Sequence, residues 1–230
     1  MPLFGKSRLG ALVVFAKAPV PGAVKTRLVP PLTPFQAADL HTAFICDTLE
    51  RTAGLLYARY LACAPTSRTP FFDACAKRYG ITTLSQGVGD LGVRMLRISR
   101  ALLRRHPYVL LIGTDSPTLP LSRFEQADTL LADADWVFGP SRDGGYYLAG
   151  QRRLAPAMFT SVPWGTGDVL TVTLERLHAR AALLPPWYDV DRPDDLDRLR
   201  KDLPVAEGCR ATQALLAMWH GLAPRAKRQP

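Results

Sequence analysis

Two groups of charged residues stand where apolar runs give way to loops. The first follows residues 12–16 (LVVFA) and reads Lys17-Ala-Pro-Val-Pro-Gly22-Ala-Val-Lys25-Thr26-Arg27. Its prolines stiffen the loop, Gly22 lets backbone approach a ligand, and three cations converge on one end of a strand. A diphosphate or triphosphate needs such a cradle of backbone N–H groups, a bidentate Arg and point-charge Lys residues. A solvated basic loop has the same composition, so composition alone divides the two readings evenly. No Walker A loop is present. The second group centres on Asp115, in Tyr108-Val-Leu-Leu-Ile-Gly113-Thr114-Asp115-Ser-Pro117. Residues 108–112 read as a strand buried on both faces. Gly113 and Pro117 end it, so Asp115 is presented just past its carboxyl end, where open α/β sheets bind ligands. A carboxylate there suits a hard cation such as Mg²⁺, though its Ser-Pro neighbours make the cap of the next turn the better reading of Asp115 taken alone.

Three further stretches carry candidate chemistry. Asp189-Val-Asp191 places two carboxylates on one side of an extended segment. One of them could join Asp115 around a metal, and Asp191 could equally cap the helix opened by Pro193. Asp143-Gly144-Gly145-Tyr146 could offer a carboxylate to sugar hydroxyls and a ring to stack on, or simply make a tight turn. Gly87-Val-Gly89-Asp-Leu-Gly92 fits the Gly-x-Gly-x-x-Gly spacing of dinucleotide sites. Two strand–helix units precede it, however, so a glycine loop over a base or ribose, with Gln86 beside it, is the preferred reading over NAD. Trp164 could set an aromatic face near a substrate, or pack. There is no Gly-x-Ser-x-Gly elbow and no Cys/His pair, so no covalent intermediate is indicated.

The elements that must position these groups follow from the hydrophobic pattern. Strands are predicted over residues 12–16, 57–63, 81–85, 108–112, 136–139, 146–149 and 182–187. Helices are predicted from the Thr33 cap to about 51, over 70–78, from 92 to about 105, over 122–131 and 166–179, from 192 to 201, and over 212–219. This alternation predicts one α/β domain with a mainly parallel central sheet and helices on both faces. It occupies residues 1–203, and residues 204–230 form a helical appendage with a frayed basic tail at 224–230.

Composition sets limits. Of 230 residues, 47% are hydrophobic, enough for a sizeable core, and the formal charge is +9 with a pI near 9.7. That charge permits nucleic acid, membrane surface or phosphorylated small molecules as partners. No aromatic RNA-binding signature or span of membrane length supports the first two. Cys46, Cys63, Cys75 and Cys209 form no Cys-x-x-Cys pair, and the four histidines are scattered. Reduced thiols and a cytoplasmic location are expected. Lys6, Arg8 and Ala16-Lys17-Ala18 mimic a signal peptide, but residues 9–16 are better read as the start of the first core strand.

Four ordered motifs then carry a resemblance. Phe15-Ala-Lys17-Ala-Pro-Val-Pro-Gly22-Ala-Val-Lys25-Thr26-Arg27-Leu, Gly113-Thr114-Asp115-Ser-Pro117, Gly139-Pro-Ser-Arg-Asp143-Gly-Gly-Tyr146 and Asp189-Val-Asp191 together resemble the DUF2064 family. That family is of the GT-A, or nucleotide-diphospho-sugar transferase, superfamily. The basic loop is also similar to that of 2-phospholactate guanylyltransferases and, more distantly, molybdenum-cofactor guanylyltransferases. The resemblance covers roughly residues 10–200. It implies that Lys17, Gly22, Lys25, Thr26, Arg27 and Thr114 surround donor phosphates, with Gln86 and Gly87 near the base. It implies that Asp115 and Asp191 share Mg²⁺ or Mn²⁺, and that Asp143, Gly144, Gly145, Tyr146 and Trp164 face the acceptor or sugar. Lys25, Arg27 and Asp115 would be catalytic. The central strand carries Asp115-Ser-Pro in place of the Asp-x-Asp of many glycosyltransferases, which leaves nucleotidyl transfer open beside glycosyl transfer. The expected partners are a nucleotide or nucleotide-sugar donor and a small-molecule acceptor.

Overall fold

A computed structural model describes residues 9–177 and 181–222. The frayed tail expected at 224–230, the residues of the signal-like start before Leu9, His178, and the end of the helix expected to reach 179 lie outside the described residues. Seven strands form one sheet: β1 (Ala11–Lys17), β2 (Ala58–Ala64), β3 (Thr82–Ser85), β4 (Val109–Ile112), β5 (Trp136–Pro140), β6 (Tyr146–Gln151) and β7 (Ala182–Leu183), in the spatial order 3-2-1-4-6-5-7. β1 lies parallel between β2 and β4, and β7 runs parallel to β5. β6 runs antiparallel to both β4 and β5, the one reversal in a mainly parallel sheet.

The central strands alternate their side chains between two apolar layers, as a pleated strand must. On one face Leu12, Val14, Leu110 and Ile112 pack under Ile45 and Leu49 of α1 (Pro34–Arg51), Phe72 of α2 (Pro70–Tyr79) and Phe124 of α4 (Ser122–Asp133). On the other, Val13, Val109 and Leu111 meet Met95 and Ile98 of α3 (Leu91–Leu102), Phe159 of a short 3-10 turn, and Leu177 of α5 (Val169–Leu177). Each Leu or Ile fully buried there contributes about 2 kcal/mol relative to exposure. A third cluster joins Leu40 and Phe44 of α1 to Leu196 and Leu199 of α6 (Pro193–Asp202) and Leu216 of α7 (Arg210–Leu222).

Local chemistry explains the boundaries. Thr33 and Gln36 close a reciprocal capping box at the start of α1. Asp90 caps α3 by accepting from Val93 N at 2.8 Å. α7 packs on α1, where the Asp47 carboxylate accepts from the N–H groups of Ala211 and Thr212 at 2.8 and 2.9 Å. Three predicted elements are shorter than their patterns. β7 stops at Leu183 because Pro185 and Pro186 supply no N–H, and pairing resumes only at the Ser141–Trp187 bridge. α3 ends at Leu102, where Arg105 and His106 both turn their N–H groups back to the Leu102 carbonyl. Residues 166–168 form a turn ahead of α5, with Asp168 N donating to Thr166 Oγ1. Among the described residues, no helix is long and apolar enough to cross a membrane.

Candidate functional site

The carboxyl ends of the neighbouring parallel strands β1 and β4 open into a cavity of about 490 Å³. Its lining includes Lys17, Lys25, Thr26 and Arg27 from the first loop, Thr114 and Asp115 from the loop after β4, and Asp191 from the segment before α6. Gln86 and Tyr146 also reach it. Of the residues foreseen as donor-side and metal-side, all but Gly22 and Gly87 line this cavity.

Lys25 is the knot. Its Nζ lies 2.6 Å from Asp115 Oδ1, 2.8 Å from Asp191 Oδ1 and 2.8 Å from the Val190 carbonyl oxygen. The Lys25 side chain is 3% exposed, while those of Asp115 and Asp191 are 43% and 35% exposed. The ammonium also sits 5.4 Å from the centre of the Phe44 ring. Burial by itself would lower the Lys25 pKa, but the two carboxylates overcome it and raise it. Burial works to raise Asp115, and the neighbouring ammonium overrides it and holds the carboxyl below its usual range. Both capping alternatives fall away here. Asp195 Oδ2, rather than Asp191, accepts from the N–H groups of Asp191 and Arg192 at the entry to α6. The Asp115 side chain turns to Lys25, and its backbone carbonyl accepts from Val190 N at 2.8 Å, tying the two acidic loops together.

Asp189, the other carboxylate of that motif, braces the site. Oδ1 accepts from Ser116 Oγ and Oδ2 from Ser141 Oγ, joining the loop after β4 to the loop after β5. Burial pushes its carboxyl up to about 6 against those two hydrogen bonds.

Several foreseen residues stand elsewhere or act differently. Gln86 Nε2 donates to the carbonyls of Ala16 and Ala62 at 3.2 and 2.8 Å, and its Oε1 accepts from Arg94 Nη1 at 3.0 Å. Its amide is thus committed to the protein, and Arg94 is the donor it orients at the cavity. Gly87, with φ 72°, faces the Arg97 guanidinium, which donates to the carbonyls of Gln86 and Val88. That glycine loop follows β3, an edge strand, and a Cβ on Gly92 would lie 2.0 Å from the Phe159 carbonyl. The Gly-x-Gly-x-x-Gly spacing here serves helix packing and sits away from the β1/β4 junction, where a doubly wound sheet binds dinucleotides. Gly22 (φ 79°) shapes the first loop outside the cavity lining. Asp143 Oδ1 accepts from Gly145 N at 3.0 Å, closing its own turn. Gly144, at φ 88°, packs so closely on Gly167 that a Cβ would come within 1.9 Å of that carbonyl oxygen. Its close approach is to the protein's own backbone. Trp164 meets Tyr146 edge-on at 6.4 Å beside α3. Asp143, Gly144, Gly145 and Trp164 lie outside the cavity lining, and Tyr146 alone of that group is on it.

Two of the cavity residues that no motif singles out bond Gln86 and Lys17. Arg94 is one. The other is His41 on α1, buried, whose Nε2 lies 3.1 Å from the Lys17 carbonyl. A carbonyl only accepts, so Nε2 carries the proton and Nδ1 offers a bare lone pair, with no partner among the described residues. Burial lowers its pKa and keeps it neutral. Helical spacing with Ala37, Phe44, Ile45 and Thr48, all buried, is the signal that could have placed it on the inner face.

Asp115 and Asp191 offer hard oxygens to one point, which suits Mg²⁺ or Mn²⁺, ions that complete their shells with water and phosphate oxygens. Among the described residues no group of three or more His, Cys, Asp or Glu gathers to enclose an ion, so the fit is to an ion held jointly with a ligand.

Known proteins share this chain's family and fold. The profile of the family described as "Uncharacterized protein conserved in bacteria (DUF2064)" matches residues 48–166. A protein from Desulfovibrio desulfuricans G20, provisionally named a nucleotide-diphospho-sugar transferase, has 31% identity and a TM-score of 0.83, covering 94% of this chain and 97% of its own. Molybdopterin-guanine dinucleotide biosynthesis protein A from Archaeoglobus fulgidus has 16% identity and a TM-score of 0.53, covering 83% of this chain and 97% of its own. The 4-diphosphocytidyl-2C-methyl-D-erythritol synthase from Anaerococcus prevotii DSM 20548 has 10% identity and a TM-score of 0.57, covering 85% and 96%. The last two share the fold. No curated protein matches the chain.

Proposed function

Because the chain belongs to the DUF2064 family and has the fold of the nucleotide-diphospho-sugar transferases, we propose that it is a metal-dependent transferase that takes its group from a nucleotide donor. One observation carries the reading: a lysine after the first strand meets two aspartates from distant loops inside one cavity, with Lys17 and Arg27 exposed at its rim. Arg27 and Lys17 bind the donor diphosphate, and Arg94 bounds the cavity beside the glycine loop. A divalent ion held by Asp115 and Asp191 would neutralise charge building on the departing phosphates. Tyr146 also lines the cavity and would face the transferred group. No protein nucleophile is needed, and burial pushes the Cys63 and Cys75 thiols up to about 12, so neither offers a thiolate. Catalysis is then a matter of positioning and charge neutralisation.

Glycosyl transfer from a nucleotide-diphospho-sugar is the first reading, on the likeness to the Desulfovibrio protein. Nucleotidyl transfer from a nucleoside triphosphate to a phosphorylated acceptor is the second. It is favoured by the density of cations, Lys17, Lys25 and Arg27, in one short loop. A thermal-shift panel of nucleotides and nucleotide-sugars, with and without Mn²⁺, tests the donor class. Stabilisation by a nucleotide-sugar only when Mn²⁺ is present supports the first reading, and selective stabilisation by a triphosphate supports the second. Metal-independent stabilisation by NADH would overturn both.

A further inference from the structure

A lysine ammonium has three N–H donors. At Lys25 three oxygens take them, on Asp115, Asp191 and the Val190 carbonyl. Every donor is spent inside the protein and the side chain is 3% exposed, so a phosphate entering the cavity meets no free N–H on this residue. The carboxylates, at 43% and 35% exposure, do open toward the cavity. Two carboxylates this close repel unless a cation lies between them. The same oxygens are those a hard divalent ion would use.

The backbone adds a second observation. Lys25 is in the left-handed region at φ 48°, a conformation that residues with a side chain adopt at a cost. The contacts of its ammonium hold it there. The loop around it has room to change: Gly22 and Ala23 are exposed, and nothing lies within 4 Å of a Cβ built on Gly22.

We propose that the Lys25 ammonium stands in for the divalent ion in the nucleotide-free protein, and that ion and lysine exchange places at Asp115 and Asp191. The arriving ion releases Lys25, which then turns its N–H groups to the donor phosphates. The charges balance best when ion and nucleotide arrive together. The ion replaces the ammonium between the carboxylates, and the nucleotide's negative charge receives the displaced lysine. Ordered loading of a metal–nucleotide complex follows, with little binding of free metal. This rests on the transferase reading above and adds a mechanism of loading to it.

The test is Mn²⁺ binding to the nucleotide-free protein, followed by calorimetry and by the electron paramagnetic resonance of free Mn²⁺. If the lysine-released state is a tenth or less of the wild-type population, Lys25→Met binds Mn²⁺ about tenfold or more tightly than wild type, because no internal cation competes. In the same variant the gain in nucleotide affinity on adding Mn²⁺ is smaller than in wild type. Equal or weaker Mn²⁺ binding by Lys25→Met overturns the proposal. A measurement on the unaltered protein guards against a folding defect. Reductive methylation with peptide mapping finds Lys25 protected in the metal-free, nucleotide-free protein, and at least several-fold more reactive once Mn²⁺ is raised high enough to fill the site with no donor phosphate present to take up the released ammonium. An unchanged rate overturns the exchange. Failure of the transferase reading looks different: Asp115→Asn would then bind Mn²⁺ and nucleotide as wild type does, which removes the ion site and the exchange together.

Discussion

Gln86 is where a ligand contact and a structural brace make opposite predictions. Its side chain is buried, and both amide hydrogens are given to carbonyls of adjacent buried strands, Ala16 of β1 and Ala62 of β2. Truncation to Ala removes those two bonds and leaves a small void at the carboxyl end of the sheet. Each lost bond to a buried carbonyl costs about 1 kcal/mol net, and the unfilled space adds about 1 more, for roughly 3 kcal/mol. For a chain of this size that is a drop in Tm of roughly 6–12 °C. Urea unfolding and differential scanning calorimetry measure it. Gln86→Glu fares no better, because a carboxylate facing two carbonyls has no donor to offer. Gln86→Ala also removes the acceptor of Arg94, so donor affinity falls along with stability. A Gln86→Ala protein that melts within about 1 °C of wild type, while losing nucleotide affinity, would refute this reasoning and return Gln86 to the role of base contact.

Three further outcomes are expected. Arg27 is exposed and bonds no other side chain among the described residues. Arg27→Ala should therefore weaken donor binding about tenfold, as read by titration calorimetry, with Tm unchanged. Asp47→Ala should cost roughly 2–3 kcal/mol in chemical unfolding, because the first turn of α7 loses its acceptor for two N–H groups. Asp189 carries a pH signature. Its folded pKa of about 6 lies above the ordinary 3.8, so the native state holds the proton more tightly. Its contribution is therefore fully present below pH 3.8 and is lost as pH rises through 6. The stability of wild type minus that of Asp189→Asn should fall across this window by no more than ~3 kcal/mol. A flat difference would show that the two serines fully compensate the buried charge.

Much of this architecture is legible in the residues. The apolar runs of β1 and β4 are continuous because both faces are covered, and Thr33 with Gln36 announces α1 through local chemistry alone. The meeting of Lys25, Asp115 and Asp191 at one edge was implied by strand-to-loop positions, since a parallel sheet puts such loops on the same side. What sequence does not carry is direction. Lys25 reads as a phosphate ligand until the folded chain turns its ammonium onto carboxylates. Asp143-Gly144-Gly145 has the composition of both a ligand loop and a turn, and the contact with Gly167, more than twenty positions on, decides it. Gln86 reads as a free amide because its acceptors belong to strands far away in sequence. His41 and Arg94 belong to no motif, and only helix faces and tertiary neighbours bring them to the cavity. The proline pair that shortens β7 was visible, and it outweighed the apolar pattern around it.

The bond between Lys25 and Asp191 spans 166 positions. Closing so long a loop is entropically costly and comes late in folding. A polypeptide emerging from the ribosome holds its basic loop long before the partner carboxylate has been synthesised. Until then the Lys25 ammonium lacks one of the two carboxylates that hold it in the folded protein. The charge balance of the cavity is thus completed only once the segment ahead of α6 has been made, so partial chains carry the basic loop without its full counter-charge.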